Sequence, residues 1–401
     1  MPFTIVDFNN FWSPSGGGVR RYHLQKMDFY KNLEQEVLLV FVMPSDKTWT
    51  EKISESLIIE HVKAFRFPGN WEYRFMWKKS QIKPVLQKYL PQIIEVGSPY
   101  ILPTVVRKIA NKVVPQAKLL SFWHADFPIT YVERPIANKL KCLGRLGKKW
   151  ASLCGKIAFG YARREFYRFN GVQVSSHEVM ERLQKNGLPE PHWIPLGCDI
   201  QMFSPEKRDP KLVEQLKAGD PNRLTIFFPH RHCEEKGVEL LLGAYDILTK
   251  KLQSEPAVVF AGTGPYLPQV QSAVANHPHI KYVGFINSID EMARYYASID
   301  LGLALSGWET FGLSILESMA SGNAQIGAST GAAKEHVLES HAGTILKART
   351  PEALADAIVE LFHSDLKEKK KAARTYAEKF SWNDCFKRQL DLYKKVAELP
   401  N

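Results

Sequence analysis

Two carboxylates, Glu309 and Glu317, stand eight residues apart around a glycine turn in the run Gly307-Trp308-Glu309-Thr310-Phe311-Gly312-Leu313-Ser314-Ile315-Leu316-Glu317. The apolar run from Ile299 to Leu305 reads as a buried strand, and Ser314 to Ser321 as a helix stopped by Gly322. Glu309 then lies in the loop at the carboxyl end of a strand, where open α/β sheets bind ligands. The amides of Phe311, Gly312 and Leu313, following Thr310, point out of the helix start and offer an anion site. Glu317, about two turns further on, reaches another part of the same ligand. A carboxylate for sugar hydroxyls, bare amides for phosphate and a second carboxylate for a ribose diol fit a nucleotide-sugar site. The same spacing also fits two surface glutamates of an ordinary βα unit, since Glu is common on helices.

A second constellation ends another apolar run, in Pro229-His230-Arg231-His232-Cys233-Glu234-Glu235-Lys236-Gly237. Arg231 and Lys236 are five residues apart across a turn, so both cations converge on one diphosphate, or else remain solvated loop charges. A leaving diphosphate develops two negative charges, and two fixed cations stabilise them in the place of a metal ion. No Asp-x-Asp pair, of the kind that holds a divalent ion in other sugar transferases, occurs in the chain. His230, His232 and Cys233 have no second ligand pair at metal spacing, so no metal or other cofactor is expected.

These loops need strands to hold them. Thr4–Phe8, 36–42, Ile93–Val96, 119–123 and 172–175 read as strands of a first parallel sheet, with a helix over 19–30. A second alternating series runs through 224–228, 258–261, 280–283, 300–305 and 325–328. The Glu309–Glu317 stretch closely resembles the E-x7-E signature of family 4 retaining glycosyltransferases. The segments Ser318 to Gly322, Ala324 to Ala328 and Gly331 to Glu335 resemble that family's helix end, buried strand and small-residue loop, with Ala332 in place of a usual glycine and Leu305 in place of a frequent proline. The resemblance covers nearly the whole chain and is most specific in the second half. It implies the GT-B fold, an α/β architecture of two Rossmann-like doubly wound parallel-sheet domains facing across a cleft. On that pattern residues 1–196 form an N-terminal acceptor-binding domain, 197–380 a nucleotide-sugar-binding domain, and 381–401 a terminal helix crossing back to the first.

The resemblance also assigns further residues. Gly16, Gly17 and Gly18 match the family's N-terminal glycine loop over donor or acceptor, with Arg20 and Arg21 behind it. Gly262 and Gly264 match a Gly-x-Gly-Pro turn that brings amides near the nucleotide, and Phe285 and Ile286 fall where the base is met. His124 ends a buried strand of the first domain and matches a histidine beside the transferred sugar. Asp126 is a candidate for an acceptor hydroxyl, and Ser176 for phosphate or acceptor, with a helix N-cap as its other reading. Retention of anomeric configuration follows from the family. In the scheme it implies, Arg231 and Lys236 stabilise the leaving group, Glu309 holds sugar hydroxyls, Glu317 the ribose, and His124 orients the sugar.

The acceptor is read from charge. The chain of 401 residues carries a net +11, with 45% hydrophobic and 24% charged residues, a globular composition long enough for two cores. Its five cysteines, odd in number and scattered, fit a reducing cytoplasm. No leader pattern opens the chain, and no apolar run reaches the roughly 18–20 residues that span a bilayer. Between Lys139 and Arg168 stand nine basic residues against one acid, a net +8, interleaved with apolar residues at helical spacing. Such a segment fits an anionic membrane surface, or a core-packed helix with a solvated basic face. No nucleic-acid recognition module accompanies it. Trp71 to Lys79 adds an aromatic and basic cluster of membrane-interface type. The expectation is a cytoplasmic enzyme, peripheral on the inner face of the cytoplasmic membrane. It would move a hexose from a donor of GDP-mannose or UDP-glucose type to a lipid or lipid-linked acceptor. The alternatives are a soluble sugar or sugar-phosphate acceptor, and a non-catalytic nucleotide-binding regulator.

Overall fold

The computed structural model describes residues 2–12, 17–33, 36–67 and 70–400, with the backbone alone at 67 and 70–72. The chain divides into two units, one of Met1–Leu196 with Trp382–Asn401, the other of Gly197–Ser381.

The first unit holds β1 (Phe3–Phe8), β2 (Val37–Ser45), β3 (Trp49–Lys52), β4 (Leu57–Lys63), β5 (Phe65–Phe67), β6 (Asn70–Phe75), β7 (Ile93–Val96), β8 (Lys118–Phe122), β9 (Gly171–Val174) and β10 (Pro191–Trp193). Eight of these form one sheet in the order β10-β9-β8-β7-β1-β2-β4-β3, and β5 and β6 pair as a separate hairpin. Neighbours run parallel except β3, which lies antiparallel on β4 at the edge. The central strands are covered on both faces, so Val6, Val40, Ile94, Leu120 and Val172 are fully enclosed. Strand order reverses beside β1, which pairs with β2 on one side and β7 on the other.

The helix Trp382–Ala397 belongs to this unit and buries Phe386, Gln389 and Tyr393. A buried polar cluster ties it in. Lys26 Nζ donates to Asp7 Oδ2 at 2.7 Å, to Glu95 Oε1 at 2.9 Å and to Tyr393 Oη at 3.3 Å. Tyr393 Oη donates to Glu95 Oε2, which also accepts from Gln173 Nε2 at 2.8 Å.

The second unit holds β11 (Thr225–Pro229), β12 (Ala257–Ala261), β13 (Ile280–Tyr282), β14 (Leu301–Ala304), β15 (Ala324–Gly327) and β16 (Gly343–Ile345). They form one parallel sheet in the order β13-β12-β11-β14-β15-β16. This is the doubly wound order in which the chain leaves the middle of the sheet in both directions, so a crevice opens between β11 and β14 at their carboxyl ends. On one face of this sheet Ile226, Phe228, Val258, Phe260, Leu301 and Ile326 pack against the helices Val238–Leu252 and Pro351–Phe362.

Candidate active site

The switch point of the second sheet is where the two sequence constellations meet. Beyond β11 the chain makes a single turn at Glu234–Lys236 before the helix Val238–Leu252. Beyond β14 the loop reaches Gly312, which caps the helix Leu313–Ala320 in the left-handed conformation at φ +78°. That left-handed φ strains any residue with a Cβ and favours glycine here. Lys236 Nζ and a Glu309 carboxylate oxygen form an ion pair across the crevice, with side chains 16% and 24% exposed. Burial disfavours the ammonium of Lys236, but Glu309 more than offsets it and raises its pKa. Burial likewise disfavours the Glu309 carboxylate, and Lys236 by charge and hydrogen bond brings its pKa below the usual range. Both are therefore charged near neutral pH.

Arg231 is placed differently. Its side chain is 72% exposed, its guanidinium 4.0 Å from the Glu235 carboxylate. Beside it His230 is kept neutral, its pKa pushed down to about 4 by burial and by Lys236. Glu317 is 6% exposed, on the inner side of its helix. Neither glutamate is thus an ordinary surface residue.

The neighbouring turns are packed together through the backbone. Gly262, at φ +110°, would place a Cβ 2.4 Å from the His230 carbonyl oxygen. Its amide donates to the Gly284 carbonyl at 2.7 Å, so this amide is spent inside the protein rather than presented to a ligand. The Gly264 turn is held by His232 N donating to Thr263 O at 2.9 Å and Tyr266 N to His232 O at 3.0 Å. Phe285 is 69% exposed and Ile286 is buried, so of the two proposed base contacts only Phe285 stands open.

Three residues that the sequence did not single out hold these loops. Arg349 Nη1 donates to Leu305 O and Nη2 to Glu234 O, both at 2.5 Å, strapping the β14 loop to the β11 loop. Its guanidinium also lies 5.6 Å from the Trp308 ring centroid. His336 Nε2 donates to the Phe311 carbonyl at 2.7 Å. Thr330 Oγ1 donates to Gly307 O at 3.1 Å, and Ala332 N to Glu309 O at 3.0 Å. Bonds to main-chain carbonyls leave no residue pattern, so only the Arg at 349 offered any signal.

In the first unit His124 follows β8 and is half-buried. Its ring stacks on Phe122 at 4.5 Å and 16°, with Tyr22 at 4.8 Å and His23 at 5.3 Å. Burial, then His23 and Lys26, hold its pKa well below the ordinary histidine value, so it is neutral. His23 Nδ1 donates to Val19 O at 2.7 Å, which leaves Nε2 to accept from Asn9 Nδ2 at 2.6 Å. Asn9 Oδ1 in turn accepts from Phe11 N at 2.7 Å, fixing the start of the loop after β1. In that loop Gly17 caps the helix Gly18–Lys31, which carries the half-buried Arg20; Gly16 lies outside the described residues. Asp126 is buried and ion-paired with Arg182, its pKa raised by burial against that partner. Ser176 caps the helix His177–Lys185, its hydroxyl accepting from Val179 N at 3.4 Å. The basic segment folds as a short turn and the helix Gly144–Glu165. Leu146, Trp150, Leu153 and Ile157 on it are exposed, while Ala158, Phe159 and Ala162 pack into the core of the first unit. In the aromatic cluster Trp77 is 50% exposed, while the side chains of Trp71 and Glu72 lie outside the described residues. No helix among the described residues is long and apolar enough to cross a membrane.

Residues 213–380 match the family model described as Glycosyl transferases group 1. The chain is 24% identical over 378 residues to the GDP-mannose-dependent alpha-(1-6)-phosphatidylinositol dimannoside mannosyltransferase of Mycobacterium tuberculosis, covering 94% of this chain and 92% of that protein. It is 25% identical to a GDP-mannose-dependent alpha-mannosyltransferase of Corynebacterium glutamicum, over 86% of this chain and 77% of that one. Among solved structures it is similar to sucrose-phosphate synthase from Thermosynechococcus elongatus, with TM-score 0.74, 16% identity and 98% of each chain covered. A glycosyltransferase from Rickettsia africae ESF-5 superposes with TM-score 0.69 at 20% identity over 100% of each chain. The fold is GT-B. The comparisons support a glycosyltransferase, with the similarity to the group 1 model confined to residues 213–380.

Proposed function

We propose that the protein is a retaining, metal-independent family 4 glycosyltransferase that moves a hexose from a nucleoside-diphosphate sugar to a lipid or lipid-linked acceptor at a membrane surface. The observation that carries the reading is the Lys236–Glu309 pair at the switch point of the second sheet, with Arg231 open beside it. A donor diphosphate in this crevice meets two cations and the start of the helix Leu313–Ala320. Lys236 and Arg231 stabilise the charge that grows on the leaving phosphate, Glu309 holds sugar hydroxyls, and Glu317 the ribose. Phe285 is the exposed candidate for the base. The acceptor hydroxyl attacks the face from which the diphosphate departs, and the departing phosphate oxygen takes its proton. Neutral His124 orients the sugar by hydrogen bonding, in keeping with its lowered pKa. On this reading the second unit binds the donor and the first the acceptor. The relatives named for GDP-mannose favour a mannosyl donor, with UDP-glucose second. A lipid acceptor is supported by the relative named for phosphatidylinositol dimannoside and by the basic helix Gly144–Glu165. That setting implies the inner face of the cytoplasmic membrane.

Glu309→Gln is expected to lower use of the donor sugar about tenfold or more while nucleoside-diphosphate affinity stays within about threefold, whereas Glu317→Gln weakens both by about tenfold. Calorimetric titration of the nucleoside diphosphate into both variants separates the roles; equal losses would show the division to be wrong. Arg349→Ala is expected to reduce turnover by about 10–100-fold, because it lets Lys236 and Glu309 drift out of register. Steady-state kinetics within twofold of the parent would mean that the loops hold each other without the strap.

A further inference from the structure

The helix Gly144–Glu165 turns its small residues and Phe159 inward, and Leu146, Trp150, Leu153 and Ile157 outward. Gly147, Ala151, Gly155, Ala158 and Ala162 are buried. A Cβ on Gly147 would come within 2.2 Å of the Leu140 carbonyl oxygen, and one on Gly155 within 2.3 Å of the Glu133 carboxylate. Close approach to the segment 133–140 is thus what this face is built for. Leu143 just ahead of the helix and Leu146, Trp150, Leu153 and Ile157 on it are 49, 57, 54, 47 and 65% exposed. Spaced three and four residues apart, they draw one stripe about 21 Å long at a rise of about 1.5 Å per residue. Arg145, Lys149, Lys156 and Arg163 are exposed and run along the flank of the stripe away from the small-residue face. The single acid between 139 and 168, Glu165, is buried.

We infer that this helix lies in the interface of an anionic lipid bilayer, the stripe sunk among the acyl chains and the basic flank on the lipid phosphates. The inference rests on the membrane-surface reading above and extends it from attraction by charge to insertion by named side chains. A straight apolar ridge with a cationic border and an aromatic near its middle matches the depth profile of a bilayer surface. A second copy of the chain fits worse, because pairing two such helices brings two basic flanks together. Charge recruits the protein and the stripe retains it, so the two contributions separate in salt.

Vesicle sedimentation tests this with phosphatidylcholine alone and with phosphatidylglycerol added. The parent is expected to bind the anionic vesicles at low salt and to keep part of that binding in 1 M salt, where the screening length is about 3 Å. The variant L146S/W150S/L153S/I157S should lose binding about tenfold or more at both salt concentrations, with an unchanged circular-dichroism spectrum. The variant R145Q/K149Q/K156Q/R163Q should lose it chiefly at low salt. If the stripe variant binds within twofold of the parent, insertion is overturned. A parent that ignores vesicles but dimerises through the stripe, as analytical ultracentrifugation would show, overturns it in favour of a second copy. Transfer to a soluble acceptor analogue should persist in the stripe variant. Vesicle binding by a parent that turns over no nucleotide sugar would sink the transferase reading and leave the inserted helix standing.

Discussion

Lys236→Ala is expected to lower glycosyl transfer by about 10²–10³-fold, the loss found when one fixed donor to a developing negative charge is removed. The effect is larger than for Arg231→Ala because Lys236 is enclosed and held by Glu309, while Arg231 is 72% exposed and has to be drawn in by the ligand. The variant also leaves the Glu309 carboxylate without its cation, at a cost of about 1–3 kcal/mol in stability. Lys236→Ala/Glu309→Gln separates the two consequences. The double variant should regain stability and remain inactive, a coupling that a double-mutant cycle measures directly. Recovery of turnover in the double variant would show that Lys236 serves only to neutralise Glu309.

The second large effect is on folding. Lys26→Met should destabilise the first unit by about 3–5 kcal/mol, the cost of removing one partner from a buried ionic cluster. It strands Glu95 and removes a contact to Tyr393 on the helix Trp382–Ala397, so this helix should be the first element to lose amide protection. The cluster has a pH signature. One ammonium faces two carboxyls, and burial, opposed by Lys26 and reinforced by Glu95, pushes the Asp7 pKa up to about 7. Between about pH 4 and pH 7 the native state keeps a proton that the unfolded chain has lost, so this group lowers stability as pH rises. Denaturant unfolding across that window should show the parent losing stability relative to Asp7→Asn as pH rises. A parent whose slope matches that of Asp7→Asn contradicts a protonated Asp7.

The second sheet was legible because parallel strands buried on both faces read as short apolar runs. β11 to β15 lie within a residue or two of where the runs from Leu224 to Ala328 place them. The strands missed were β3, β4, β5, β6, β10 and β16; β4 carries the apolar start Leu57-Ile58-Ile59, and the others have no such run. β16 has three residues and follows His341 in a left-handed turn, and β3, at the edge, is exposed throughout its four residues. Loop positions of Glu309 and Lys236 followed from the strands before them, but their pairing did not, since 73 residues separate them and only the sheet order brings them together. The basic helix shows a different limit. Apolar periodicity indicates a face without saying which face is buried, and here the glycine and alanine line, not the leucine line, was the inner one.

The central claim is that the crevice between β11 and β14 is a metal-independent donor site. Release of nucleoside diphosphate from UDP-, GDP- and ADP-sugars, followed with a lipid acceptor in excess EDTA for the parent and Lys236→Ala, tests it most directly. Turnover of one donor by the parent, undiminished by EDTA and lowered about 10²–10³-fold in the variant, is the predicted result. Activity that vanishes in EDTA and returns with magnesium or manganese, or that survives the loss of Lys236, would contradict it.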